Sequence, residues 1–137
     1  MPQKGRRKKV RYIQTMPKID QFSPRGKPGR PDEVQLTVDE FESVKLADYQ
    51  GYDQIEGAKI MGISRSSFGR ILRKAREKLA KALVEGSSIR IRIGDVQIGV
   101  THKALPHKDD LEMMEQQEVE KEKRMRDKIL NHQPKIP

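Results

Sequence analysis

The sequence predicts a mainly α fold: a three-helix helix-turn-helix domain carrying an extended basic N-terminal arm, a short C-terminal β-hairpin and a charged tail. Three observations predict it. Residues with capping chemistry, Thr37, Asp53 and Ser64, each open a run whose apolar positions recur at helical spacing. Glycines 51, 62 and 86 close those runs where a left-handed residue is wanted. Prolines 17, 24, 28 and 31 prevent a continuous helix upstream of them.

The first helix is expected from the capping box Thr37-Val38-Asp39-Glu40, in which the Thr hydroxyl accepts the Glu40 N–H and the Glu carboxylate reaches back. Phe41, Val44, Leu46 and Ala47 supply its apolar positions. Asp53 caps a short second helix that turns Ala58 and Met61 inward, Gly62 ends it, and Ile63 fills the turn. Ser64 caps the third helix. At about 100° per residue, Phe68, Ile71, Leu72, Ala75, Leu79, Ala82 and Leu83 share one sector, with Ser66, Arg70, Arg73 and Lys81 opposite and Lys74 at their flank. The expected core is Phe41, Val44, Ala58, Met61, Ile63, Phe68, Ile71, Leu72, Ala75 and Leu79.

Upstream, residues 1–31 form the basic arm, with a short strand near Val10–Ile13 and Phe22 pinning it to the domain. Residues 32–86 are the helix-turn-helix domain. Residues 87–100, SSIRIRIGDVQIGV, suit a hairpin about Gly94-Asp95 that pairs Ile93 with Val96, Ile91 with Ile98 and Ile89 with Val100, all on one face. Residues 101–137 are a charged helical or disordered tail, since Leu111, Met114, Met125 and Ile129 make no sustained stripe.

Composition bounds the function. The chain has 137 residues, 34% hydrophobic and 4% aromatic, which is material for one modest domain with appendages. The absence of cysteine excludes disulfides, zinc ribbons and thiol catalysis, and is compatible with a reducing compartment. No apolar run is long enough for a bilayer span or signal peptide, so a soluble, cytoplasmic protein with no membrane partner is expected. A formal charge of +9 points to a polyanionic partner.

The charge is segregated. Residues 1–31 hold ten Lys or Arg and one acid, residues 32–63 two and eight, and residues 64–81 seven and one. Such blocks suit a protein with one surface turned to phosphates while acidic supporting helices stay soluble and out of the way. The third helix then offers its N-terminal residues to base edges in a major groove. Arg65, Ser66, Ser67 and Arg70 are the expected base readers, because Arg bridges guanine O6 and N7 and Ser donates or accepts at several edges. Ser64, Arg73, Lys74 and Lys81 are expected on phosphates, joined from the arm by Lys4, Arg6, Arg7, Lys8, Lys9 and Arg11. Gly69 costs helix stability, roughly 1 kcal/mol against Ala, and suggests close approach of another group, such as the DNA backbone.

Other chemistries find little support. His102, His107 and His132 lack metal-site spacing, and SPRGKPGRP lacks the spacing and the following helix of a phosphate-binding loop. Asp32-Glu33, Asp39-Glu40 and Asp109-Asp110 read as caps and solubility. Neither enzymatic activity nor a cofactor is expected. Two alternatives stay open, an RNA or ribonucleoprotein factor bound through the arm and a protein-interaction module docking the transcription machinery. A homodimer also stays open, since paired helix-turn-helix proteins gain a second half-site.

Residues 36–86 resemble the prokaryotic domain of unknown function 134 family of predicted DNA-binding proteins, whose helix-turn-helix is similar to region 4 of sigma-70 factors. LTVDEFE, KLAD, MGISR and SFGRIL carry the resemblance, with FSPRG at 22–26 similar to the upstream loop of the family. It implies an all-helical DNA-binding domain, a recognition helix beginning at Ser64 and a role in transcription regulation. Gly57 departs from the family pattern, standing where Ala is usual, and weakens the second helix slightly; Ser66 stands where Pro is common and leaves a hydroxyl for contacts.

Overall fold

The computed structural model describes residues 10–26 and 32–131. They fall into two units, one ending at Leu105 and one beginning at Pro106. The first unit contains strands β1 (Arg11–Ile13), β2 (Gln21–Phe22) and β3 (Glu33–Thr37), helices α1 (Val38–Val44), α2 (Gln54–Met61) and α3 (Arg65–Glu85), and strands β4 (Ser88–Arg92) and β5 (Ile98–Val100). The second contains α4 (Lys108–Asn131), whose described side chains are exposed apart from Lys108 and Leu111, which are half-buried. The chain is mainly helical, and the charged tail is a helix over that range.

Local chemistry sets the helix boundaries. Thr37 and Glu40 form the expected capping box, and Asp53 and Glu56 form a second at the head of α2. After Val44 the backbone widens into a π-helical turn, Lys45–Tyr49, closed by Gln50 N donating to Lys45 O at 2.7 Å. Gly62 ends α2 at φ 69°, a conformation that costs a side-chain-bearing residue but not glycine. Ser64 caps α3, and Gly86 ends it in the same left-handed region.

The strands differ from expectation. β4 and β5 do not form a hairpin: β4 is the centre of a three-stranded sheet, parallel to β3 and antiparallel to β2, while β5 pairs in parallel with β1. A two-stranded hairpin is marginal by itself. Here β4 gains a five-residue register along β3, from Glu33 opposite Ser88 to Thr37 opposite Arg92, and a second neighbour on its other edge. Residues 93–97 are thus a connection between sheets, and Ile93 is exposed. The arm is corrected likewise, because residues 10–26 supply β1 and β2 rather than an extended segment. The strand expected at Val10–Ile13 is present, and Phe22 pairs with Ile89 while half its surface stays exposed.

The core lies where α1 and α3 meet the sheets. Ile13, Leu36, Val38, Ala75 and Ile91 form one buried cluster, edged by Phe41, Val44, Leu79, Ile89, Ile98 and Val100. Leu46, Ala58, Met61, Phe68 and Leu72 are buried among the helices. Leu83 is the exception to the apolar sector of α3, at 86% exposed: it lies at the edge of that sector, while its neighbour Ala82 is 3% exposed. Gly57 does more than weaken α2. A Cβ there would fall 2.5 Å from the tip of the fully buried Phe68 ring, so the missing methyl lets α2 and α3 approach.

Candidate nucleic-acid interface

The turn between α2 and α3 is held from two sides. Ile63 N donates to Ala58 O at 3.0 Å, and Gly62 N donates to Lys59 O at 3.1 Å, so the chain reverses within three residues. From β1 the Tyr12 ring lies against the same turn, since a Cβ on Gly62 would meet it at 2.9 Å. This prop was not anticipated from sequence, and no local signal marks it, because Tyr12 and Gly62 stand 50 residues apart in the chain.

At the head of α3 three hydroxyls and a guanidinium share one network. Ser64 Oγ accepts from Ser67 N at 3.1 Å, Ser64 and Ser67 hydroxyls are 2.9 Å apart, and Ser66 Oγ lies 3.3 Å from Ser64 Oγ. Arg70 Nη2 donates to Ser67 Oγ at 3.3 Å. Ser64 is therefore occupied as the cap, and Ser66 stands at the outer edge. Arg65, Ser66, Arg70, Arg73, Lys74 and Lys81 are all exposed. Gly69 has its close neighbour within the chain: a Cβ there would come 3.2 Å from Gln54 Oε1 of α2.

Ion pairs sort the cations. Arg11 of β1 is bound by the buried Asp39 carboxylate, which also accepts from the Thr37 hydroxyl. Lys78 Nζ lies 2.6 Å from buried Glu40, and Arg76 makes a two-pronged contact with Asp48 at 2.7 and 3.1 Å. Hydrogen bonding to Asp48 raises the Arg76 pKa further above its ordinary value, so its charge is permanent. Arg73 contacts Glu77 only in the open, at 3.3 Å. Arg65, Lys74 and Lys81 have no ion-pair partner among the described residues. Lys4, Arg6, Arg7, Lys8 and Lys9 lie outside the described residues.

Three acids of the acidic block are not part of a solvated surface, while Asp32, Glu33, Asp48 and Asp53 are exposed. Asp39, Glu40 and Glu42 are 3%, 5% and 0% exposed, each beside a cation. Glu42 also ties a polar network together: its Oε2 accepts from Gln14 N at 3.0 Å, Gln14 donates to Gln50 at 3.2 Å, and Gln50 and Gln14 both bond the backbone of Leu105. The reading of Asp39-Glu40 as cap and solubility holds for the cap alone.

Between α3 and the head of α1 lies an open concavity of about 290 Å³. Its lining includes Arg11, Thr37, Asp39, Ser67, Arg70 and Lys74. It brings the strand residue Arg11 to the flank of the same helix that carries the expected base readers. Among the described residues no group of three or more His, Asp or Glu could hold a metal ion, and no helix is long and apolar enough to cross a membrane.

The family model described as "Protein of unknown function DUF134" matches residues 1–99, which takes in β1 to β4, the three helices of the first unit and all but the last residue of β5. A UPF0251 protein of Prosthecochloris aestuarii is 46% identical over 93 residues, 67% of this chain and 60% of that protein. UPF0251 proteins of Halothermothrix orenii and Desulfosudis oleivorans are 41% and 49% identical, over 69% and 64% of this chain and 70% and 64% of theirs. The chain thus spans roughly three fifths to seven tenths of the length of these relatives. No solved structure matches it.

Proposed function

The chain belongs to the DUF134 family, and from that premise we propose that it binds double-stranded DNA sequence-specifically and regulates transcription, using α2 and α3 as a helix-turn-helix of the sigma region-4 kind. The observation that carries the reading is the uncovered cationic face of α3. It starts at a capped helix end, its turn is propped from both sides, and Asp39 and Glu40 of the neighbouring α1 are turned inward onto other cations. An α-helix with its side chains is about 10–12 Å across and the major groove about 12 Å wide, so such a helix fills the groove and puts its outermost side chains against base edges. Arg65 and Ser66 stand at that tip. Arg73 and Lys81 follow along the face toward phosphates, and the basic residues preceding β1 extend the contact along the backbone or into an adjacent minor groove.

On this reading the protein is not an enzyme, needs no cofactor and works in the cytoplasm. Pairing of two copies would place two recognition helices on half-sites one turn apart. A second reading, docking of the transcription machinery, draws on Leu83 and Val84, which are 86% and 83% exposed side by side at the end of α3.

The test is selection of binding sites from random duplexes, followed by titration of the selected site at several salt concentrations. A recovered consensus, with a log–log salt slope near −5 for about six neutralised phosphates, is the expected result. Retention of no duplex at low ionic strength overturns the reading, and equal retention of RNA hairpins transfers it to the ribonucleoprotein alternative.

A further inference from the structure

We infer that the concavity between α3 and the head of α1 is a clamp for a single DNA backbone phosphate, with Arg70 and Lys74 as its ligands, so that Arg70 positions the helix instead of reading a base. The inference rests on the duplex-binding reading above and assigns one piece of it.

Four groups able to donate to an anion line it from two elements: the Ser67 hydroxyl, the Arg70 guanidinium and the Lys74 ammonium on α3, and Arg11 on β1. Two carboxylates share the lining, Asp39 and Glu40, yet both are already matched, Asp39 by Arg11 and Glu40 by Lys78. The positive charge left over is that of Arg70 and Lys74. Arg70 spends one nitrogen on Ser67, and Lys74 has no partner among the described residues. With about 30 Å³ needed per water, 290 Å³ admits a tetrahedral phosphodiester group and several waters.

Helix geometry supplies the second line. Along α3, Ser66 and Arg73 project near the middle of the exposed face, whereas Ser67 and Lys74 lie about 90° or more round toward α1, with Arg70 between. A helix entering the groove by its N-terminal end meets base edges with the middle of that face over its first turns, and backbone with its flanks and its later turns. The hydrogen bond to Ser67 draws Arg70 to the flank side. Arg11 does not move freely here; it is fixed by Asp39 and serves to cancel the carboxylate that would otherwise repel a phosphate.

The experiment uses the full chain and a duplex recovered by site selection, with its single-base variants, and compares wild type with Arg70→Gln and Lys74→Gln. Both side chains are exposed, so folding is checked simply by thermal melts. The clamp predicts that each variant weakens all duplexes by a similar factor, roughly tenfold, with the salt slope reduced by about one and base preference unaltered. Neutral methylphosphonate groups placed one at a time along each strand locate the site: at one position the substitution weakens wild type but not the variants. Millimolar inorganic phosphate is added as a separate arm, and the clamp predicts no competition beyond that of equal ionic strength. Loss of preference at one base pair in Arg70→Gln, an unchanged salt slope in Lys74→Gln, or specific competition by free phosphate would each overturn the clamp while leaving duplex binding intact. Absence of any wild-type duplex binding would remove both.

Discussion

α1 and α3 are packed against each other and carry opposite charges, but they use them in opposite ways. The acids of α1 are inside: Asp39, Glu40 and Glu42 are nearly inaccessible, and each is held by a cation or a backbone N–H. The cations of α3 are outside, with Arg65, Lys74 and Lys81 unpartnered among the described residues and Arg73 only loosely tethered. Charge in a sequence therefore says little about role until burial is known. A buried carboxylate fixes a fold because losing its partner strands a charge in a poor solvent. An exposed guanidinium costs almost nothing to keep and is available for other work.

The sharpest way to break that contrast is to remove the most enclosed acid. Glu42→Ala leaves Gln14 N without its acceptor and Lys45 without its partner, and it opens a void. A loss of about 3 kcal/mol is expected in urea denaturation, toward the lower end for a buried pair because Lys45 reaches partly to solvent. A loss below about 0.5 kcal/mol would mean that α1 carries its acids as α3 carries its bases, and the contrast would fail.

Next in size is the contact that sets how α3 sits on α2. Gly57→Ala gains roughly 1 kcal/mol of helix propensity, but its methyl collides with a ring that has no room to retreat, and overpacking of that kind costs about 1–3 kcal/mol. A net loss near 1 kcal/mol is expected, recovered in part by Phe68→Leu in the same chain. Stabilisation by Gly57→Ala alone would show that Phe68 can yield.

The exposed side of α3 is expected to respond in the reverse sense. Lys81→Ala, far along the open face, changes stability by less than about 0.5 kcal/mol. On the proposed function it lowers affinity for every duplex alike, read as a uniform shift in titrations across unrelated sequences. A change in preference at one base pair would make it a reader.

The helical parts of this pattern were legible in the sequence because their causes are local. The Thr37, Asp53 and Ser64 caps and the stops at Gly51, Gly62 and Gly86 depend on residues within four positions of one another, and all stand where the pattern put them. Strand partners are not local. The alternation of Ile89 and Ile91 marked a strand correctly, but its neighbour is β3, more than 50 residues upstream, and not β5. β3 itself had a readable signal, Val34, Leu36 and Val38 alternating with Glu33, Gln35 and Thr37, overshadowed by the capping box that follows it. Of the site, the exposed face of α3 was legible from its period. The pairing of Arg11 with Asp39, Lys78 with Glu40 and Arg76 with Asp48 was not, because each joins blocks at least 28 residues apart and nothing in a charge count says which opposite charges will meet.

Asp48 offers the finest test, since its pair with Arg76 lies between the two regimes. Both side chains are about half exposed, so Asp48→Asn should shift stability by no more than about 1 kcal/mol. The consequence for binding runs the other way from that of Arg70→Gln, Lys74→Gln and Lys81→Ala. Arg76 sits on the flank of α3 opposite Lys74, where a groove-filling helix meets the second strand, and Asp48 at present both occupies and neutralises it. Freed of that partner, Arg76 gains a phosphate to contact, and the affinity for any duplex should rise by a few-fold with the salt slope steeper by about one. An unchanged or shallower slope would mean that this flank of α3 faces away from the backbone, and the helix would then have to enter the groove rotated toward its Lys74 side.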